Sequence, residues 1–169
     1  PRIEMRFWPG LTALVALAAA EALEGFARSS IGEEWRVAIK WPNDLRGARG
    51  KLAGILAESA GGGIVFGLGI NLGHASSDFP QELEGQASSL RLEGFAPVPE
   101  SEELVRAFDG RLAARYAEYQ AGERAFLRRG LEERFFLRDA RVRLRESEGG
   151  ESLQGIARGL GELGELRLE

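Results

Sequence analysis

Apolar residues recur along this chain at two periods, and the changes of period mark out most of its elements. Leu14, Val15, Leu17, Ala18, Ala22 and Leu23 keep helical spacing, with Thr12 able to cap the start and Gly25 the end, so they predict a helix over 12–25. That segment is apolar nearly all round and belongs in a core. "WRVAIKW" (35–41) sets Val37, Ile39 and Trp41 against Arg36, Ala38 and Lys40, the period of a strand with one covered face. Pro42 stops it, and "PND" supplies turn chemistry. "KLAGILAE" (51–58) and "GIVFGLGIN" (63–71) predict two more strands, joined as a hairpin through the glycines of "SAGGG". Residues 73–99, rich in Ser, Gly, Pro and acids, predict loop with one short turn of helix. Leu104, Phe108, Leu112 and Tyr116 recur every four residues after Pro99 and Ser101, predicting an amphipathic helix over 101–120; a shorter helix over 123–134 follows Gly122. Beyond Phe136, "ARVRLRE", "SLQGIARG" and "GELRLE" predict short strands separated by glycines. Three strands rarely stand alone, so this β appendage should lean on what precedes it. Two units follow, 1–134 and 135–169.

Composition sharpens this picture by exclusion. At 169 residues, 44% apolar and 28% charged, the chain suits one domain of ordinary size with a small appendage, and it is neither disordered nor fibrous. The most apolar run, "LTALVALAAAEALEGFA", is broken by Glu21 and Glu24 and reads as a core helix, not a membrane span. A net charge of -4 with no basic stripe argues against a nonspecific nucleic-acid binder. The absence of cysteine removes disulfides, thiolate metal sites and Cys nucleophiles, and is compatible with a reducing cytoplasm. The lone His74, in "NLGHASSD", excludes a His-rich metal site and reads as a loop residue. The start at Pro1 and Arg2, with no signal-peptide pattern, looks like a cut within a longer protein.

Two candidate phosphate motifs fail. In "RGARGKLAG", Leu45 and Leu52 occupy the places where a Walker loop needs Gly and Ser or Thr around Gly50 and Lys51. In "GLGINLG", Leu72 stands where a dinucleotide fingerprint needs its third Gly. The lysines are more informative. Of 22 basic residues only Lys40 and Lys51 are lysine, and both fall among the four basic positions between 40 and 51, an arrangement with a chance probability of about 0.03 if Arg and Lys were exchangeable. Lysine is a compact, mobile charge where arginine is a wide planar fork, so the two separate where chemistry intrudes. Lys51 opens a strand between Gly50 and Gly54, where a ligand can approach the backbone. Lys40, on a polar strand face, is as well explained by solvation. Asn43 and Asp44 are either a plain turn or a carboxylate set to hold Mg²⁺ or accept a proton from an amine. Gly67 and Gly69 mark either a bulge or a flat floor for a ring.

"KWPNDL", "KLAGILAE", "GLGINL" and "FPQELEGQASSL", in this order, resemble the successive signatures of the biotin protein ligases, and "FFLRDARVRL" with "GIARGLGELGELRLE" resembles that family's small SH3-like C-terminal domain. The resemblance implies an α+β fold, a mixed sheet flanked by helices, similar to lipoate ligases and class II tRNA synthetases. It implies ATP, biotin and Mg²⁺ as cofactors, formation of biotinyl-AMP, and transfer of biotin to a lysine of a biotin carboxyl carrier domain in the cytoplasm. A homodimer is an option; nucleic acid and membrane are not expected partners. By matched position, Lys51 and Asp44 would be catalytic, Lys51 touching both the biotin carboxylate and the α-phosphate. Gly54, Ile55, Gly67 and Gly69 would line the biotin floor, Lys40, Trp41, Asn43 and Asn71 would lie near the nucleotide, and Asn43 with Asp44 near the metal. The family's glycine- and arginine-rich loop and its last C-terminal strand have no counterpart here, so the chain reads as truncated at both ends. A lipoate or other acyl ligase, and a noncatalytic binding fragment, are the alternatives.

Overall fold

The computed structural model describes residues 3–145 and 152–169. The start at Pro1 and Arg2, and the end of the first predicted tail strand at Glu146, lie outside the described residues. A short 3-10 turn, Met5–Phe7, leads into α1, Pro9–Ser30. Pro9 at its first turn suits a position with no N–H to satisfy, and Gly32 at φ 115° ends it, its N–H and that of Ile31 both returning to the Ala27 carbonyl. The helix is longer than predicted at both ends: Gly25 lies within it and does not end it, and Phe26 and Ala27 carry its apolar face onward.

Four strands follow, β1 Ala38–Lys40, β2 Asp44–Arg46, β3 Lys51–Ala60 and β4 Gly63–Ile70, hydrogen-bonded in that order. All three ladders are antiparallel; the parallel pairings among the described residues are the isolated bridges Ile39–Phe135 and Lys51–Ala87. The β3–β4 hairpin closes through Gly61 and Gly62, at φ 56° and 79°, the left-handed pair that a tight two-residue turn requires. β1 is shorter than the predicted 35–41 because its neighbours have other partners. The Val37 N–H goes to Glu24 Oε1 on α1, and the Trp35 indole turns to Glu93. β2 is the strand that the turn reading of "PND" hid: Asn43 ends the connection and Asp44 already pairs.

Directly paired residues of a ladder share a face. The row Ile39–Leu45–Ala53–Ile70 lies on the face that packs against α1, where Ile39, Leu45 and Ala53 are buried with Val37, Leu52 and Ile55. Across α1 lie α3, Ser101–Gln120, and α4, Ala125–Arg134. α1 is thus covered by sheet on one side and helices on the other, which is why it is apolar nearly all round. By length and composition it could cross a membrane, yet most of it is buried inside the fold.

Residues 71–99 hold two 3-10 turns and α2, Leu90–Glu93, capped by the Ser89 hydroxyl accepting from the Leu92 N–H. His74 is exposed, and its carbonyl accepts from Ser89 Oγ. The tail forms a second antiparallel sheet of β5 Arg141–Leu144, β6 Leu153–Leu160 and β7 Leu166–Leu168. It leans on the first sheet, as three short strands must: the Phe136 N–H donates to the Ile39 carbonyl at 3.0 Å and the Trp41 indole N–H to the Gly164 carbonyl at 3.2 Å.

Candidate active site

The row next to the buried one, Lys40–Asp44–Gly54–Gly69, crosses all four strands on the face turned away from α1. Strand alternation alone would put Lys51, three residues before Gly54, on the opposite face from it. The register prevents this. Between Leu45–Ala53 and Arg46–Lys51 the pairing skips Leu52, a bulge on β3 that re-aims Lys51 to the face of Arg46 and Asp44. Leu52 and Ala53 can then both be buried, and the Lys51 ammonium lies 2.6 Å from Asp44 Oδ1. The lysine side chain is 45% exposed and the aspartate 19%, so the pair is anchored at the acid and open at the amine.

Gly54 lies beneath this pair. A Cβ there would stand 3.4 Å from Lys51 Nζ and 3.9 Å from Asp44 Oδ1, while one on Gly69 would meet nothing within 4 Å. The absent side chains leave a depression of about 470 Å³ lined by Asn43, Gly54, Ile55, Leu56, Gly67, Leu68 and Gly69, within the size range of small-molecule sites. A floor of glycine backbone beside an ammonium and a carboxylate can hold a flat apolar ring with an anionic tail.

The other sequence-selected residues divide. Asn43 fixes the end of the β1–β2 connection, its Nδ2 donating to the Ile55 carbonyl at 2.8 Å and its carbonyl accepting from the Ile55 N–H at 2.9 Å; Oδ1 is the atom it can offer a ligand or ion. The Ile55 side chain, 2% exposed and paired with Leu68 on the α1 side, is core, so Ile55 meets the depression through its backbone. Lys40 is half-buried in the Asp44 row. Trp41 leans toward the second sheet, and the Asn71 amide is turned onto the Ser88 carbonyl at 3.0 Å, tying Ser88 to the end of β4. Among the described residues no three acidic, His or Cys side chains cluster as a metal site. A larger apolar hollow, about 1210 Å³, opens between the β3–β4 turn, the start of α1 and α3; Glu4 and Asp109 are its acids. It lies at the far end of β3 from Lys51, roughly 30 Å away by strand rise.

The model of the biotin/lipoate A/B protein ligase family matches residues 2–74, the segment that builds α1, the row and the Lys51–Asp44 pair. Over 131 residues, 78% of this chain, the sequence is 35% identical to the biotin–[acetyl-CoA-carboxylase] ligase of Mycobacterium tuberculosis, covering 47% of that protein. The chain is similar to that family over residues 2–74 and to that ligase over most of its own length. It spans about half the length of that relative. The fold is shared with the solved biotin protein ligase of Aquifex aeolicus, at a TM-score of 0.82 and 21% identity over 97% of this chain and 68% of that one. The same ligase in complex with biotin and ATP gives 0.80 at 21% identity over 95% and 64% of the two chains.

Sequence reasoning passed over three residues that brace the approach to Lys51 from outside the depression: Trp35, Ser88 and Glu93. The available signal was a loop, "RGARG", whose backbone N–H groups need acceptors. Nothing in the sequence says which of 26 acidic residues supplies them.

Proposed function

We propose that the protein is a biotin protein ligase, joining biotin to AMP at the expense of ATP and passing it to one lysine of a biotin carboxyl carrier domain. The observation that carries this reading is the Lys51 ammonium, 2.6 Å from Asp44 and open to solvent, beside a glycine floor. In the first step a biotin carboxylate oxygen attacks the α-phosphorus of ATP, the bond to the pyrophosphate leaving group breaks, and biotinyl-5′-AMP forms. Lys51, swinging from Asp44 toward the ligand, neutralises the carboxylate and the negative charge that builds on the α-phosphate. In the second step the carrier amine attacks the acyl carbon and AMP leaves. Asp44, freed of its lysine, holds that amine and takes its proton. No protein nucleophile is required, in keeping with a chain that has no cysteine.

Gly54, Gly67, Gly69 and the Ile55 backbone would floor the biotin, with Lys40, Trp41, Asn43 and Asn71 on the nucleotide side. Mg²⁺ binds through one or two protein oxygens plus phosphates and water, which fits Asp44 with Asn43 Oδ1; when bound it would neutralise phosphate charge. We read residues 1–134 as the catalytic unit and 135–169 as part of an SH3-like domain. A cytoplasmic setting accords with the cysteine-free composition.

The test is incubation of the protein with ATP, biotin and a carrier domain, following pyrophosphate release and biotin on the carrier lysine, with lipoate as competitor. Incorporation of biotin undisturbed by lipoate is expected; preferential transfer of lipoate would reassign the substrate. Lys51→Arg should lower adenylation by about 100-fold or more, and Lys40→Arg by less than about 10-fold. Equal tolerance of both would remove the basis for assigning Lys51.

A further inference from the structure

Glu93, the last residue of α2, lies outside the depression, yet its carboxylate gathers four donors. Oε2 accepts from the Ala48 N–H at 2.9 Å and the Trp35 indole N–H at 3.1 Å; Oε1 accepts from the Arg49 N–H at 3.0 Å and the Ser88 hydroxyl at 2.7 Å. An ionised carboxylate has about four acceptor sites, so this one is saturated. Two of its donors are consecutive amides of the loop 47–50 that delivers the chain to Lys51. Successive N–H groups converging on one anion form the kind of nest that elsewhere binds phosphate. Here a side chain of the protein fills it.

The loop is held on its other sides as well. The Gly47 N–H donates to the Gly50 carbonyl at 2.9 Å, the Lys51 N–H to the Gln86 carbonyl at 2.7 Å, and the Ser88 N–H to the Lys51 carbonyl at 2.8 Å. There is no slack: a Cβ on Gly47 would stand 2.4 Å from the Glu93 carboxyl carbon, and one on Gly50 2.8 Å from the Ala87 carbonyl carbon. The bulge that re-aims Lys51 begins where this clamp ends.

We propose that Glu93 is a positioning residue for Lys51: by clamping loop 47–50 it holds the β3 bulge in register, and with it the direction of the ammonium toward the reacting groups. The proposal rests on the ligase reading of Lys51. Glu93→Gln keeps the size but turns an NH₂ toward one of the two loop amides, setting donor against donor. A misdirected Lys51 weakens stabilisation of charge that exists chiefly in the transition state. The kcat of biotinyl-AMP formation should therefore fall by about 10-fold or more, with KM for biotin and for ATP moving less than about 3-fold. The amide proton resonances of Ala48 and Arg49 should move upfield together as their charged acceptor is lost. Glu102→Gln, which removes an exposed ion pair with Arg106 on α3, should leave kcat at the wild-type level.

A wild-type kcat in Glu93→Gln, an effect confined to KM, or tighter ATP binding would overturn the proposal; the last would mean that the nest awaits a ligand phosphate. Should Glu93→Gln not fold, Trp35→Phe removes one donor while keeping the ring against Phe95, and its kcat should fall by about 3-fold, a wild-type value again overturning the idea. Wild-type protein assayed alongside separates the two readings. Failure to form biotinyl-AMP there rejects the ligase assignment and this proposal with it, whereas an active wild type with an unimpaired Glu93→Gln rejects the positioning role alone.

Discussion

The site depends on individual residues whose smallness or reach decides what the sheet can hold. Gly69 is the clearest case, since a Cβ on it would meet nothing within 4 Å and its partner Gly54 has the Lys51 and Asp44 side chains as its nearest neighbours. Gly69→Val should leave the thermal midpoint within a few degrees of wild type, because a β-branched residue suits a strand and nothing is displaced. The same side chain would fill the floor. Calorimetry should show biotin affinity reduced by about 10-fold or more, corresponding to roughly 1.4 kcal/mol or more; unchanged affinity would move the ligand elsewhere on the sheet. At this scale the sequence was informative about identity and silent about direction. Two lysines among 22 basic residues pointed to Lys51, while the spaced glycines fitted a bulge as well as a floor. That Lys51 shares a face with Gly54 was not legible, because strand alternation puts it on the other side and only the pairing of Arg46 with Lys51 reveals the bulge. Ile55 shows the converse: chosen by position in a motif, it gives the site its backbone while its side chain serves the core.

Elements are tied together by a few buried polar contacts as well as by apolar area. Glu24 on α1 is 7% exposed and accepts two bonds from the Arg134 guanidinium of α4, Nη2 to Oε2 at 2.7 Å and Nε to Oε1 at 3.1 Å, besides one from the Val37 N–H at 3.1 Å. One carboxylate thus joins two helices and fixes where β1 begins. Removing its cation strands a buried charge, the costly half of breaking such a pair. Arg134→Ala should lower the unfolding free energy by about 3–5 kcal/mol in urea titrations, whereas Glu24→Gln with Arg134→Met should lose markedly less. A small loss in the single variant would show that water reaches the site. The long helices were legible because their apolar period runs over many turns. Strand limits were not, since the Val37 N–H leaves the ladder for a carboxylate distant in sequence, and β2 is three residues with only Leu45 buried, too short to show a period. Glu21 and Glu24, read as interruptions of an apolar run, are the sites where α1 meets Arg115 of α3 and Arg134 of α4.

For the molecule as a whole, the question is whether the second sheet is a passenger or part of the same cooperative unit. Its contacts fall on the elements that carry the site. The chain leaving α4 bonds to Ile39 of β1, one residue before the Lys40–Asp44 row, and Trp41, two residues before Asn43, bonds to Gly164 in the β6–β7 connection. Ala157 and Leu160 of β6, at 0% and 3% exposure, belong to the same apolar cluster as Leu14 and Leu45. A sheet of three short strands would not persist without that cluster, and the cluster would lose part of its cover without the sheet. Tryptophan fluorescence, which includes Trp41 at the junction, and far-UV circular dichroism should therefore trace coincident unfolding curves in urea. Gly164→Ala tests the coupling directly. Its φ of 82° disfavours a side chain, and a Cβ there would stand 2.7 Å from the Ala13 Cβ of α1. If the two sheets are one unit, this change in a tail loop should move both transitions together by about 1–3 kcal/mol. An early loss of fluorescence signal, with helix unfolding at the wild-type midpoint, would instead make the tail an independently melting attachment, and the sequence from Phe136 onward could then be deleted without disturbing the Lys51 site.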